Sequence, residues 1–388
     1  MDFKFTAEHD ALRAEVREFA RDALKDYHGA SRPTSQEDWP GQLAFLKRLA
    51  AKKWVAPAWP AAYGGQGWKH IKQMVFSEEL SYAGAPDAGR VFSVGMIGPT
   101  LIVHGSEEQK HQHLPRITSG DAIWCQGYSE PGAGSDLASL QTRAVRDGDD
   151  YLVNGQKIWT TGAHHADWCF LVVRTNPELP KHKGMSFLLV DMKTQGITVQ
   201  PIVNMAGHHE FNQVYFEDVR VPIANRVGEE NNGWYVAMTL LDFERSNVAS
   251  IAANQRVLDE LAGYMRAARP GGSYGPILKH RLADLYVAND VGRLLSYRTA
   301  WMQESGKVVN TEASVIKVFA TELAQRISNF GVNVQGTNGG LIPGSRAASL
   351  GGMMAEDHME NVSPTIYSGS SEVQRNIIAT RGLGLPRD

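Results

Sequence analysis

The sequence predicts an α+β fold in the order helical domain, β domain, helical domain, and three observations predict it. Apolar residues recur at helical spacing up to about Asp121; β-branched and aromatic residues then gather in short runs between Ala122 and Val227; helical spacing returns after Gly233 and persists. The expected boundaries are 1–121 for an N-terminal α-helical domain, 122–229 for a middle antiparallel β-barrel domain and 230–388 for a C-terminal α-helical bundle. A chain of 388 residues, 43% hydrophobic, can sustain that division, because single cores stop growing near ~250–300 residues.

Taken in order, Leu12, Val16, Phe19, Ala20 and Leu24 give an amphipathic opening helix from Thr6, its expected N-cap, to about Tyr27. Asp38 to Lys53 repeats the pattern, and the Pro and Gly residues from Trp54 to Gly65 end it. Further helical spacing covers Ile71 to Ala83, Gly89 to Gly105 and Glu107 through Pro115. The strand-like runs are Trp168 to Val173, Met185 to Val190, Ile197 to Ile202 and Val214 to Val221, divided by turn signals such as Asp147-Gly148-Asp149-Asp150 and Gln195-Gly196. Helices follow at Val236 to Met265, His280 to Glu304 and Ala313 to Val334, broken at Arg269 to Pro276 and at Gly336 to Gly344.

Composition excludes several function classes. The net charge of −3, with no block of like charge, recruits neither nucleic acid nor an anionic membrane surface. Two cysteines, Cys125 and Cys169, make no disulfide framework and favour a reducing compartment. His164-His165 and His208-His209 lack the Cys or carboxylate spacing of a metal site, so no metal is expected. Charged residues follow Met1 at once, and no run approaches the ~18 apolar residues of a membrane-spanning helix; the expectation is a cytoplasmic protein.

One stretch carries chemistry. Gln126-Gly127-Tyr128-Ser129-Glu130-Pro131-Gly132-Ala133-Gly134-Ser135-Asp136 gathers glycines and small hydroxyls, which lets backbone lie close against a polar ligand. Beyond it, Tyr151, Val153, Ile158, Trp159, Thr160 and Thr161 read as a strand around an Asn154-Gly155 hairpin signal. Singly, such features are most often a plain turn and a core tryptophan. Their order resembles the flavin-binding middle domain of the acyl-CoA dehydrogenase family, whose loop runs Thr/Ser-Glu-Pro-x-x-Gly-Ser-Asp and whose strand carries Trp-x-Thr. Phe216 to Pro222 and Tyr367-Ser368-Gly369-Ser370-Ser371-Glu372-Val373-Gln374-Arg375 are further matches, so the resemblance spans essentially the whole chain.

The resemblance implies FAD as cofactor, with Gln126, Tyr128, Ser129, Gly134, Ser135, Trp159, Thr160, Thr161, Asn333, Gly336, Thr337, Ser370 and Glu372 around it. Ser129 would bond the flavin edge and Trp159 to Thr161 would flank the isoalloxazine. It implies α,β-desaturation of an acyl-CoA: a carboxylate takes the α-proton while the β-hydrogen leaves as hydride to flavin N5. Medium-chain members carry the base in Tyr-Glu-Gly-Thr, where this chain reads Tyr367-Ser368-Gly369-Ser370. Isovaleryl and long-chain members carry it in a Glu-Arg pair matched here by Glu244-Arg245, after Gly233-Trp234. Glu244 is thus the expected base, on a face with Leu240, Leu241 and Val248 that would desolvate it. Ser135, Asp242, Arg245, Ser368 and Gly369 match positions touching the thioester ligand, Ser368 through its N–H.

The chain departs from the family at the expected Arg-x-x-Phe-Gly, where Met265 to Pro276 offers only Arg266 and Arg269, and at Gln-x-x-Gly-Gly, which becomes Asn333 to Thr337. The implied partners are an electron-transferring flavoprotein and further subunits, as a homotetramer or an α2β2 heterotetramer. Pimeloyl-CoA dehydrogenase large subunits and steroid side-chain dehydrogenases look nearest. The alternatives are a non-catalytic or partner-dependent subunit and an oxygen-using acyl-CoA oxidase.

Overall fold

The structure is a computed structural model that describes residues 5–25, 27, 38–239, 246–267 and 274–386. Helix α1 (Ala7–Ala23) begins where the Thr6 hydroxyl accepts from the His9 N–H and His9 Nδ1 accepts from the Thr6 N–H. Asp38 caps α2 (Trp39–Ala51) by accepting from the Gly41 N–H. Their apolar stripes, Val16 and Ala20 against Phe45, Leu46 and Leu49, bury into one cluster with Trp54 and Phe76. Helix α3 (His70–Tyr82) lies beside α1 with two buried carboxylates, and Arg13 reaches Glu78 at 2.8 Å. The expected helix from Gly89 to Gly105 is divided into α4 (Arg90–Phe92), a wide turn Ser93–Ile97 and α5 (Gly98–His104). Helix α6 (Glu107–Thr118) opens on a Ser106/Gln109 capping box.

The middle domain is an open sheet and not the closed antiparallel barrel expected. Among the described residues eight strands form it: β1 (Trp124–Gly127), β2 (Arg143–Asp147), β3 (Asp150–Lys157), β4 (Trp168–Arg174), β5 (Met185–Asp191), β6 (Ile197–Val203), β7 (His209–Pro222) and β8 (Arg226–Val227). Their order is β6-β7-β3-β2-β4-β5-β8, with β1 on β4. The sheet is also mixed, since β1 and β2 pair with β4 in parallel. Closure fails for a physical reason: one edge, β8, has two residues, and the other, β6, carries Pro201 and alternates between exposed and half-buried. β4 is buried at every residue. Trp168, Phe170 and Val172 face α5 and α6, while Cys169, Leu171 and Val173 face Tyr151, Val153, Phe216 and Val221. Cover on both faces explains why that run is continuously apolar.

One local expectation is also corrected. Asn154-Gly155 is not a hairpin; it lies inside β3, where the pairing with β7 slips by a residue between Val153 and Gly155. Gly155 is required there, because at φ +149 a Cβ would meet Thr142 Oγ1 at 2.6 Å. The hairpin turn is Asp147 to Asp150 instead.

The C-terminal domain comprises α7 (Gly233–Thr239), α8 (Val248–Ala267), α9 (Pro276–Glu304), α10 (Asn310–Gln335), α11 (Met353–Glu360) and α12 (Ser371–Ile377). The continuous run expected from Val236 to Met265 is interrupted: Ser246 and Asn247 are not helical, and Asn247 has φ +52. Leu258, Leu261, Leu285, Leu323, Ile327 and Met354 form the core of α8 to α11. This domain docks on the sheet through α7, whose Val236 and Ala237 share a buried cluster with Phe187 and Leu189, and at the β6–β7 turn, where His208 Nε2 lies 2.7 Å from Glu356 and Asn204 Nδ2 donates to Glu360 at 2.6 Å.

Candidate active site

The Gly-rich loop leaves β1 at Gly127 and returns to the sheet through a buried ion pair. Lys157, the last residue of β3, is completely buried, and its Nζ lies 2.8 Å from Glu130 Oε1 and donates to Tyr128 O at 3.0 Å. Glu130 also accepts from the N–H groups of Gln141 (2.6 Å) and Thr142 (2.9 Å). Burial opposes its charge, but the Lys157 ammonium and these donors outweigh burial and hold the carboxyl below the ordinary range. So anchored, the loop presents Gly134 and Ser135 exposed at its tip. Tyr128 turns inward, edge-on to Phe170 and Phe187, with its hydroxyl buried and without a partner among the described residues. Gln126 reaches Met96 Sδ at 3.6 Å.

The Ile158 N–H donates to Ser129 O at 2.8 Å, which joins the loop to the next segment. Trp159, Thr160 and Thr161 are not strand residues: β3 ends at Lys157, and Trp159 turns the chain at φ +61 with its indole 57% exposed. A bulky residue in the left-handed region is an outlier. The turn is held from behind by Asn212 of β7. Its carbonyl accepts from the Thr160 N–H, and its buried amide donates to Thr160 O, both at 3.0 Å. Asn212 in turn meets His164 Nδ1 (3.0 Å) and His209 Nε2 (2.8 Å). Trp39 stacks on His165 and His164 on His209, and the two pairs meet at a tilted His165–His164 contact. Burial, and then the neighbouring imidazoles, push His164 down to about 4. These histidines support the turn, and among the described residues no group of three His, Cys, Asp or Glu is placed to hold a metal ion.

The other sequence-derived residues gather in the C-terminal domain. Asn333 and Gly336 end α10, and Gly336 stands at φ +61 with ψ −131 beside Thr337, both exposed. Ser368 and Gly369 are left-handed in succession, at φ +52 and +80. Ser370 caps α12 by accepting from the Val373 N–H at 3.4 Å, and its hydroxyl and the backbone lower the exposed Glu372 carboxyl. Asp242, Glu244 and Arg245 lie outside the described residues.

These features fit a flavin. Among the described residues Thr160 Oγ1, Ser371 Oγ and Gln335 Nε2 are buried without partners, one beside the exposed indole and two at the ends of α12 and α10. Buried polar atoms are normally bonded, and the Thr160 and Trp159 pair offers a hydroxyl and a flat apolar face to a planar heteroaromatic ring. Sequence reasoning gave no part to Lys157, Asn212, Lys317 or Gln374. Lys157 alone carried a signal, a charge at an inward position of an otherwise apolar-in strand.

The chain matches the acyl-CoA dehydrogenase N-terminal domain over residues 6–121, the middle domain over 125–219 and the C-terminal domain over 231–383. The acyl-CoA dehydrogenase FadE26 of Mycobacterium tuberculosis is 37% identical over 400 aligned positions, spanning 100% of this chain and 99% of the relative. Two solved structures superpose with TM-scores of 0.90 over 100% of both chains: the Tcur3481-Tcur3483 steroid ACAD, 34% identical, and the ChsE4-ChsE5 complex from Mycobacterium tuberculosis, 37% identical. A β-rich middle domain between two helical ones is the three-domain α+β architecture that these matches share, that of a family of oxidoreductases. The chain belongs to the acyl-CoA dehydrogenase family.

Proposed function

We propose that the protein is an FAD-dependent acyl-CoA dehydrogenase that introduces an α,β double bond into an acyl-CoA thioester. The observation that carries this reading is the Trp159–Thr161 turn, with its exposed indole on left-handed backbone and its buried unspent hydroxyl beside the Gly-rich loop. Gln126, Ser129, Gly134, Ser135 and the turn would hold the flavin ring and its phosphates; Tyr128 would support them from the core. Asn333, Gly336, Thr337, Ser370 and Glu372 would complete the cofactor contacts. When bound, FAD supplies the acceptor for the β-hydrogen and its electron pair. Glu244 takes the α-proton, and Asp242, Arg245, Ser135 and Gly369 orient the thioester. The Ser368 N–H bonds the carbonyl oxygen as negative charge develops there, which is what makes the α-proton removable. An electron-transferring flavoprotein is the proposed onward acceptor. The likeness to a steroid ACAD favours a sterol-derived acyl group.

A second reading, dependence on a non-identical subunit, is favoured by the stretch from Met265 to Pro276, which lacks the Arg-x-x-Phe-Gly of the family. Both solved relatives above are named as two-protein assemblies. The visible spectrum of the protein purified alone, before and after anaerobic addition of acyl-CoAs, separates the readings. A yellow protein bleached by one acyl class supports the dehydrogenase. A protein that takes up flavin only with a second subunit supports partner dependence, and a yellow protein that no thioester bleaches refutes the first reading. Glu244→Gln is expected to keep the flavin and to slow bleaching at least ~10²–10⁴-fold.

A further inference from the structure

Every carbonyl of the Tyr367–Gly369 loop accepts a hydrogen bond from a side chain outside it. Lys317 Nζ, on α10, donates to Tyr367 O at 3.2 Å and to Gly369 O at 2.7 Å. Gln374 Nε2, on α12, donates to Ser368 O at 3.2 Å. The N–H groups of Ser368 and Gly369 meet no acceptor among the described residues. Carbonyls held and N–H groups left open is the arrangement an oxyanion requires. It is not a relaxed one: Ser368 pays for left-handed backbone, and such strain persists only where its surroundings over-determine it.

We propose that Lys317 is a positioning residue for thioester activation: its ammonium fixes the Ser368–Gly369 backbone and polarises the Tyr367–Ser368 peptide, making the Ser368 N–H a stronger donor. The inference rests on the dehydrogenase reading above. Tyr367 O and the Ser368 N–H are the two ends of one peptide unit, so donation to the oxygen draws density from the nitrogen and strengthens the N–H. Such cooperativity is worth about 10–30% of a bond. The ammonium also places a positive charge one peptide away from the developing enolate oxygen. Because Lys317 is half-buried, water screens that charge less than it would on an open surface. A simpler role, pairing with Glu322, is taken by Arg375, which reaches that carboxylate at 2.7 Å. Burial holds the Lys317 ammonium below the ordinary lysine range, with Glu372 and Glu322 opposing, so its contribution is lost as pH rises through that lowered value. Lys317 exchanges no proton with the substrate.

The test uses the FAD-loaded wild type, Lys317→Gln and Lys317→Arg with acetoacetyl-CoA, whose enolate is a stable likeness of the one formed during desaturation. The readouts are flavin content, the proton dissociation constant of the bound ligand from its enolate absorbance, and the rate of anaerobic bleaching by butyryl-, octanoyl-, palmitoyl- and sterol side-chain acyl-CoAs. Lys317→Gln is expected to keep FAD, to weaken ligand acidity about tenfold and to slow bleaching about 10–100-fold, less than loss of a direct oxyanion donor. Lys317→Arg, which keeps charge and donors, restores most of both. An unchanged enolate in Lys317→Gln overturns the inference and leaves the dehydrogenase standing. A wild type that neither acidifies the ligand nor bleaches with any thioester removes the dehydrogenase reading and the inference with it. If Lys317→Gln loses FAD, Lys317→Arg decides: retained ligand acidity upholds the role, and a loss beyond tenfold overturns it.

Discussion

Replacing Lys157 by methionine tests how the Gly-rich loop is held. The two side chains of the ion pair are 0% and 7% exposed and 2.8 Å apart. A solvent-exposed pair such as Lys47–Asp121, with both side chains at least half exposed, contributes at most ~1 kcal/mol. Removing one partner of a buried pair costs ~3–5 kcal/mol, because the other charge stays behind without compensation. Here Glu130 would keep the N–H groups of Gln141 and Thr142, which places the cost at the lower end; Tyr128 O would lose its donor, adding ~1 kcal/mol. Methionine fills the lysine stem's volume, so the cavity contribution is small. The expected loss is ~3–4 kcal/mol, with weaker flavin retention because Ser129 is displaced. Urea unfolding followed by tryptophan fluorescence, with flavin content measured in parallel, reads both. The double variant Glu130→Gln/Lys157→Met should recover part of the loss, since no charge is then buried alone. A Lys157→Met protein within ~0.5 kcal/mol of wild type, or a double variant as unstable as the sum of the singles, would refute the reasoning.

Two further outcomes follow from the same geometry. Trp159→Gly should leave the apoprotein as stable as wild type or up to ~1 kcal/mol more stable, because glycine relieves the left-handed strain and the indole is largely exposed. The same change should weaken flavin binding about 2–10-fold through the lost ring contact; flavin titration and apoprotein melting decide, and lost stability with unchanged flavin affinity would contradict it. His113 is buried with neither ring nitrogen partnered among the described residues, and burial followed by the nearby Arg116 charge pushes it down to about 4. Its folded value lies below the unfolded ~6.5, so the unfolded state binds the proton first: stability is level above pH ~7 and falls as pH drops from ~6.5 towards 4. At pH 5 this amounts to at most ~2 kcal/mol, and His113→Leu should show a correspondingly smaller difference between urea midpoints at pH 7.5 and pH 5.

The longer helices were legible because they announce themselves locally, whereas the short α11 and α12 were not read. Thr6, Asp38 and Ser106 cap where their side chains can reach N–H groups, and the apolar spacing of α9 and α10 carries through to within a few residues of both ends. The strands β4 and β5 were legible as continuous apolar runs. Sheet closure was not, because it depends on whether two distant edges can pair, and neither a two-residue β8 nor a Pro-bearing β6 declares that alone. Asn154-Gly155 misled for the opposite reason. The dipeptide does demand unusual backbone, but a bulge satisfies that demand as well as a hairpin does, and close approach to Thr142 selects the bulge.

In the candidate site the division is finer. The Gly-rich loop could be read from composition, whereas the residues that hold it and the Tyr367–Gly369 loop lie far along the chain: Lys157 is 27 residues from Glu130, and Lys317 is 52 from Gly369. What no spacing encodes is strain. Trp159 and Ser368 have neither glycine's freedom nor asparagine's tolerance of the left-handed region, and nothing adjacent in sequence compensates them. Asn212 behind the first and Lys317 with Gln374 behind the second supply that compensation through tertiary contacts. Both segments therefore spend side-chain hydrogen bonds to keep an indole, and two N–H groups, turned outward. A fold optimised for stability alone would have placed glycine at both positions; retaining a tryptophan and a serine there is intelligible if the outward groups serve a bound ring and a thioester oxygen.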